Sequence, residues 1–98
     1  MRVSCIQYCS GRDIQQNLST TKLLILRSIK QKSDFIITPE TSSIFGLNKK
    51  ELLKQTVSME KDLYVNSIKK IAKKYKKWVL IGSAIIKDKN KIKNRSIL

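Results

Sequence analysis

Ninety-eight residues suffice for one compact domain and not for two, and nothing in the chain approaches the roughly 18 consecutive apolar residues of a membrane span. With 41% apolar residues, three Gly and one Pro, the sequence reads as globular rather than disordered or fibrous. The net charge of +14 comes from 21 basic residues, 17 Lys and 4 Arg, set against 7 acids. A specific nucleic-acid reader draws on Arg for bidentate contacts and on aromatic rings for stacking, so this Lys bias points instead to solvated surface.

The first residues, Met1-Arg2-Val3-Ser4-Cys5-Ile6-Gln7, lack the charged segment and long apolar run of a secretory leader. Val3 to Tyr8 alternates and gives way to Cys9-Ser10-Gly11, a predicted strand followed by a turn. Cys5 and Cys9 stand four apart on that strand, about 13 Å in extended chain and beyond disulfide reach. A reducing, cytoplasmic setting is therefore expected.

Asp13 is placed to cap a helix whose apolar positions Ile14, Leu18, Thr21, Ile25 and Ile29 fall on one face. Leu23, Leu24 and Leu26 are expected to widen that face. Asp34 to Thr38 is short, apolar and β-branched, and Pro39 stops it, which predicts a buried strand. Strand, helix and strand within forty residues form a βαβ unit with parallel strands. A polar loop from Thr41 to Asn48 and a short helix from Lys49 to Gln55 follow. The second long helix should bury Tyr64, Ile68, Ile71, Ala72 and Tyr75, leaving Lys69, Lys70, Lys73, Lys74, Lys76 and Lys77 as a solvated side and end. Trp78 to Ile86, interrupted by Gly82-Ser83, and Ile92 to Leu98 predict a hairpin across Asp88-Lys89-Asn90-Lys91.

Chemistry has few places to reside. Without His there is no Ser-His-Asp triad or Cys-His pair, the two cysteines and scattered acids do not match metal spacing, and no Gly-rich phosphate loop follows a strand. No cofactor or metal site is therefore expected. One carboxylate stands out. Glu40 directly follows Thr38-Pro39 at the carboxyl end of the second predicted strand, where open α/β sheets present catalytic groups.

These pieces, in their order, resemble the amino-terminal segment of the carbon–nitrogen hydrolase, or nitrilase, superfamily. The resemblance is carried by Ile6-Gln7, by Ser10-Gly11-Arg12-Asp13 with Asn17-Leu18 four residues on, and by Asp34 to Glu40 with its Pro-Glu ending. Ala72 to Tyr75 before Trp78 to Ser83, and Asn94-Arg95-Ser96, extend it to the whole chain. It implies an α/β fold, one part of an α-β-β-α sandwich, with a mixed four-stranded sheet and two long helices. In that family a Glu is the general base, a Lys stabilises the tetrahedral anion, and a Cys attacks the amide or nitrile carbon. Only the Glu has a matching position here, Glu40. The Lys and Cys motifs lie beyond the fourth strand in the family.

The expectation is thus an amino-terminal, incomplete part of such a domain over residues 1–98, inactive alone. The complete enzyme would act on a small non-peptide amide or nitrile without cofactor. Cys9 does not replace the nucleophile, because the family's Cys comes from a later element. Expected partners are a missing carboxyl-terminal part or a second copy of the chain, with no membrane and no specific nucleic acid. The alternative reading is a small Lys-rich module that binds nucleic acid non-specifically, or an acidic partner, on the same fold.

Overall fold

Asp13 caps the first helix as its position predicts: its carboxylate accepts the amides of Gln15 at 2.9 Å and Gln16 at 3.3 Å. In the computed structural model, which describes residues 1–98, helix α1 runs over Ile14–Lys30 and buries Leu18, Thr21 and Ile25. Leu24 packs partly against this core, but Leu23 and Leu26 remain 53% and 41% exposed, contrary to expectation. At 3.6 residues per turn Leu26 lies about a quarter-turn and Leu23 nearly half a turn from Ile25, too far round to reach the sheet.

The remaining elements are β1 (Val3–Cys5), β2 (Phe35–Ile37), α2 (Lys49–Gln55), a 3₁₀ turn (Met59–Lys61), α3 (Leu63–Tyr75), β3 (Trp78–Asp88) and β4 (Lys91–Ile97). They form one mixed sheet in the order β1-β2-β3-β4, with β1, β2 and β3 parallel and β4 antiparallel to β3. Lys89 (φ 50°) and Asn90 (φ 64°) make the tight turn of the hairpin, the paired positive φ values that match the twist of the two strands. No helix is long and apolar enough to cross a membrane.

The first two strands are shorter than the apolar runs suggested. Ladder contacts continue past them, from the Ile6 amide to the Ile37 carbonyl and from the Thr38 amide to the Leu80 carbonyl, and then stop. Pro39 has no amide to offer the ladder, and the residues after it bond elsewhere.

Register divides the sheet into two faces. Ser4, Ile36 and Val79 align in one inward row, and α1 and α3 cover it. Ile25, Ile36 and Tyr64 are fully buried there, packed with Ile68 and Ile71 of α3. The opposite face carries two aligned rows, Val3-Phe35-Trp78 and Cys5-Ile37-Leu80. Nothing covers these rows, and Val3 and Trp78 are 50% and 65% exposed.

On α3 the predicted face is buried from Tyr64 to Ile71, but Tyr75, at the last turn, is 38% exposed. Its ring instead lies under the Lys74 ammonium at 5.3 Å. The lysines of α3 are exposed, as a solvated side requires. Lys76 closes the helix in the left-handed conformation (φ 54°).

Asp62 caps α3 through the Val65 amide at 2.8 Å. Burial pushes its carboxyl above the ordinary 3.8, against the amide hydrogen bonds of Val65 and Tyr64 that pull it down. A raised folded-state value means that ionised Asp62 opposes folding once pH exceeds its folded and unfolded values. Asp62→Asn keeps a capping oxygen and removes that charge. The variant should therefore match or exceed the parent's thermal midpoint at neutral pH, with any advantage fading as pH falls below 3.8. Melting curves across pH test this; a fixed deficit at every pH would show that the cap needs the charge.

Candidate active site

Between Ile81 and Ala84 the β3–β4 ladder carries one extra residue on β3, so that Gly82 and Ser83 together face Ser96. This is a β-bulge, and it reverses the strand's alternation: Val79 and Ile81 point inward before it, Ala84 and Ile86 after it. Ser96 seals the bulge from the β4 side, its Oγ donating to the Gly82 carbonyl at 2.6 Å. On the β2 side, the bulge receives the segment that follows β2.

That segment runs from Thr38 through Pro39 and Glu40 to Phe45, and hydrogen bonds hold Thr38, Thr41, Ser42, Ser43 and Phe45 to the rest of the fold. The Gly82 amide donates to Thr38 Oγ1 at 3.1 Å. The Thr41 amide donates to Ser83 Oγ at 2.6 Å, and the Ser42 amide donates to the Ser83 carbonyl at 2.9 Å. Ser42 Oγ reaches the same carbonyl at 3.1 Å. From the side of the first strand, Ser10 Oγ donates to the Thr41 carbonyl at 2.7 Å. Ser43 Oγ accepts the Ile85 amide at 3.0 Å.

Gly82 is required here for space. A Cβ on it would lie 2.3 Å from the Thr38 carbonyl oxygen and 2.7 Å from that of Pro39. Thr41 departs from ordinary backbone geometry, with φ at 46°. The left-handed region is disfavoured for any β-branched residue.

Asn17 explains why an Asp is followed four residues later by Asn-Leu. Its buried amide accepts the Gly11 amide, donates to the Gly11 carbonyl and donates to the Ser43 carbonyl, each at 2.9 Å. The first turn of α1 thus ties the Ser10-Gly11 turn to the segment beyond Glu40.

Beneath lies a hydroxyl cluster. Tyr8 Oη donates to the Ser42 carbonyl at 2.6 Å and stands 2.6 Å from Thr21 Oγ1 and 3.1 Å from Tyr64 Oη. Burial drives the Tyr64 hydroxyl well above its ordinary 10.0, so it remains a neutral hydrogen-bonding group.

Glu40 itself is exposed, sits just beyond the carboxyl end of β2, and joins none of the ion pairs, which are Arg12–Glu51, Lys93–Asp88 and Arg95–Asp88. Its place at the carboxyl end of a parallel pair agrees with the expectation from sequence. Cys9 lies past the β1 ladder, exposed, and both Cys5 and Cys9 are free thiols. The place of Glu40 in the fold was legible in the sequence; the contacts around it were not. Ser10, Ser42 and Ser83 are too common in loops to stand out, although the Ser/Thr cluster after Glu40 and the Gly-Ser break in β3 mark the two halves of the contact.

A cavity of about 630 Å³ lies elsewhere, between α3 and the hairpin, lined by Ile68, Lys69, Lys73, Trp78 and Ile97 among others. None of its lining residues belongs to the Glu40 segment.

A mixed four-stranded sheet with its two long helices packed on one face defines an α/β layer of the kind that forms part of a larger sandwich. The sequence model of the carbon–nitrogen hydrolase family matches residues 2–98, and the chain belongs to that family. Among solved structures it is similar to the NitFhit protein of C. elegans, at 27% identity and a TM-score of 0.78. The match covers 89% of this chain and 21% of that one, so the chain spans about a fifth of that protein's length. No curated protein matches it.

Proposed function

We propose that Glu40 is the general base of a carbon–nitrogen hydrolase centre that acts on a small non-peptide amide or nitrile, such as an ω-amide. The observation that supports this best is the position of its carboxylate: unpaired, exposed, and presented at the carboxyl end of β2 between residues held on either side, Thr38 and Thr41. A base must be free to accept a proton yet fixed in direction, and an acid in a surface ion pair would be neither.

In this reading Glu40 takes the proton of an attacking thiol, whose ordinary value near 8.5 leaves it mostly protonated at neutral pH. The thiolate adds to the amide carbon, and a Lys ammonium balances the resulting oxyanion. Both partners would come from sequence outside these 98 residues. The exposed, unpaired Cys5 and Cys9 suit a reducing, cytoplasmic setting. Neither is proposed as the nucleophile.

The test is to join residues 1–98 to the carboxyl-terminal remainder of an active family member. The chimera should hydrolyse simple amides or nitriles, and Glu40→Gln should lower turnover by about 10²–10⁴-fold. Equal turnover in the two chimeras rejects Glu40 as the base. The 98-residue chain assayed alone with glutamine analogues should show no turnover above background. Turnover that disappears with Cys9→Ala would reassign the nucleophile.

A further inference from the structure

We infer that the β-bulge of β3 is a clamp that forces Thr41 into the left-handed conformation and so sets the direction of Glu40, with Ser83 and Ser10 as positioning residues. The inference deepens the general-base reading of Glu40 and rests on it for its functional meaning.

Three independent features converge on one residue. Thr41 is β-branched and has φ 46°, a geometry that such a residue adopts only when its surroundings impose it. The imposing contacts are visible on both sides of the residue. Its amide is held by Ser83 Oγ at 2.6 Å, and its carbonyl is held by Ser10 Oγ at 2.7 Å. These two grips come from different parts of the chain, the bulge of β3 and the turn between β1 and α1, and residue 41 is the immediate neighbour of the carboxylate.

The bulge is what makes Ser83 available. Without the extra residue, β3 would keep its alternation and the residues now at 82 and 83 would not both face the Thr38–Ser42 segment. Ser83 also contributes its carbonyl, which accepts the Ser42 amide at 2.9 Å. Side chain and main chain of one residue therefore hold two successive amides, those of Thr41 and Ser42. The segment between Pro39 and Ser42 is left with one conformation, and Glu40 is carried on it.

Replacing Ser83 by Ala removes one grip and spares the other, because the carbonyl remains. In the 98-residue chain, amide exchange resolved by NMR should therefore change selectively. In Ser83→Ala the Thr41 amide should exchange at least about tenfold faster while the Ser42 amide keeps its protection. The backbone order parameter of Glu40 should fall toward the flexible range, below about 0.6. Ser10→Ala should loosen the same residue from its carbonyl side, and it decides the matter if Ser83→Ala does not fold.

Thr41→Asn supplies the readout that a merely structural serine would not move. Asn tolerates the left-handed region, so adding it to the Ser83→Ala background should restore order at Glu40. Unchanged exchange and order in both serine variants overturns the clamp. Acceleration spread evenly along β3, unrelieved by Thr41→Asn, overturns it equally. Neither readout involves turnover: an unaffected Glu40→Gln chimera would reject the base and leave the clamp standing, and the reverse holds for a turn that stays ordered.

Discussion

Gly82→Ala should destabilise the fold by about 3 kcal/mol or more, the upper end of what overpacking costs. The added Cβ would sit 2.3 Å from the Thr38 carbonyl oxygen and 2.7–2.8 Å from the carbonyl oxygen and carbon of Pro39. These are backbone atoms, so no flexible side-chain tip can swing aside. Gly82 does not hold a positive φ; among the glycines only Gly46 does. The cost is therefore purely steric, and a larger residue should be worse than Ala.

Relief requires β2 and β3 to separate at Thr38, which would break the Gly82 amide bond to Thr38 Oγ1 and disturb the segment bearing Glu40. A small domain holds only about 5–15 kcal/mol in all, so the loss should be plain in the urea midpoint at unchanged slope. A midpoint within about 0.5 kcal/mol of the parent would show that the close approach is relaxed in solution.

Much of this fold could be read from the chain, and the residues say why. Periodicity located α1 and α3 because their buried positions recur at helical spacing, and Asp13 marked the start of α1 by its capping chemistry. Apolar β-branched runs located β2 and β3, and Lys49 to Gln55 appears as a helix over the same residues. Strand ends were less legible. β1 stops at Cys5 because its neighbour β2 leaves the ladder at Pro39, a fact about residues thirty positions away. Leu23 and Leu26 misled for a related reason: an apolar residue signals burial only if a neighbour reaches it, and no element packs on that side of α1.

The site divides the same way. Glu40 could be named from a Pro-Glu pair at a strand end, a local signal. The Ser83 contact could not, because it joins residues 41 and 83 across the sheet and depends on a one-residue bulge. The Ser/Thr cluster after Glu40 and a Gly-Ser pair in the middle of a strand were its traces. Bulge positions follow from pairing, and pairing is not written in either strand alone.

The uncovered sheet face should make the chain self-associate, and added salt should strengthen the association. Val3, Phe35 and Trp78 form one row and Cys5, Ile37 and Leu80 the next, so the face is apolar across all three parallel strands. Both helices pack on the other side, and Trp78 leaves 65% of its surface in solvent. Apolar surface of this continuity drives association in water. Opposing it is a net charge of +14, which makes two copies repel. Repulsion between exposed charges is screened over about 10 Å at 0.1 M salt and about 3 Å at 1 M, whereas apolar burial is not weakened by screening. Sedimentation velocity should therefore show mass rising above the 11.3 kDa monomer with concentration, and rising further with sodium chloride. Phe35→Lys with Trp78→Lys places charge in the middle of the outer face and should return the chain to a monomer at every salt concentration. The same pair on the helix side, Leu23→Lys with Leu26→Lys, should leave association unchanged. A parent chain that stays monomeric in high salt would overturn the prediction, and one dispersed only by the α1 substitutions would move the sticky surface from the sheet to the helix.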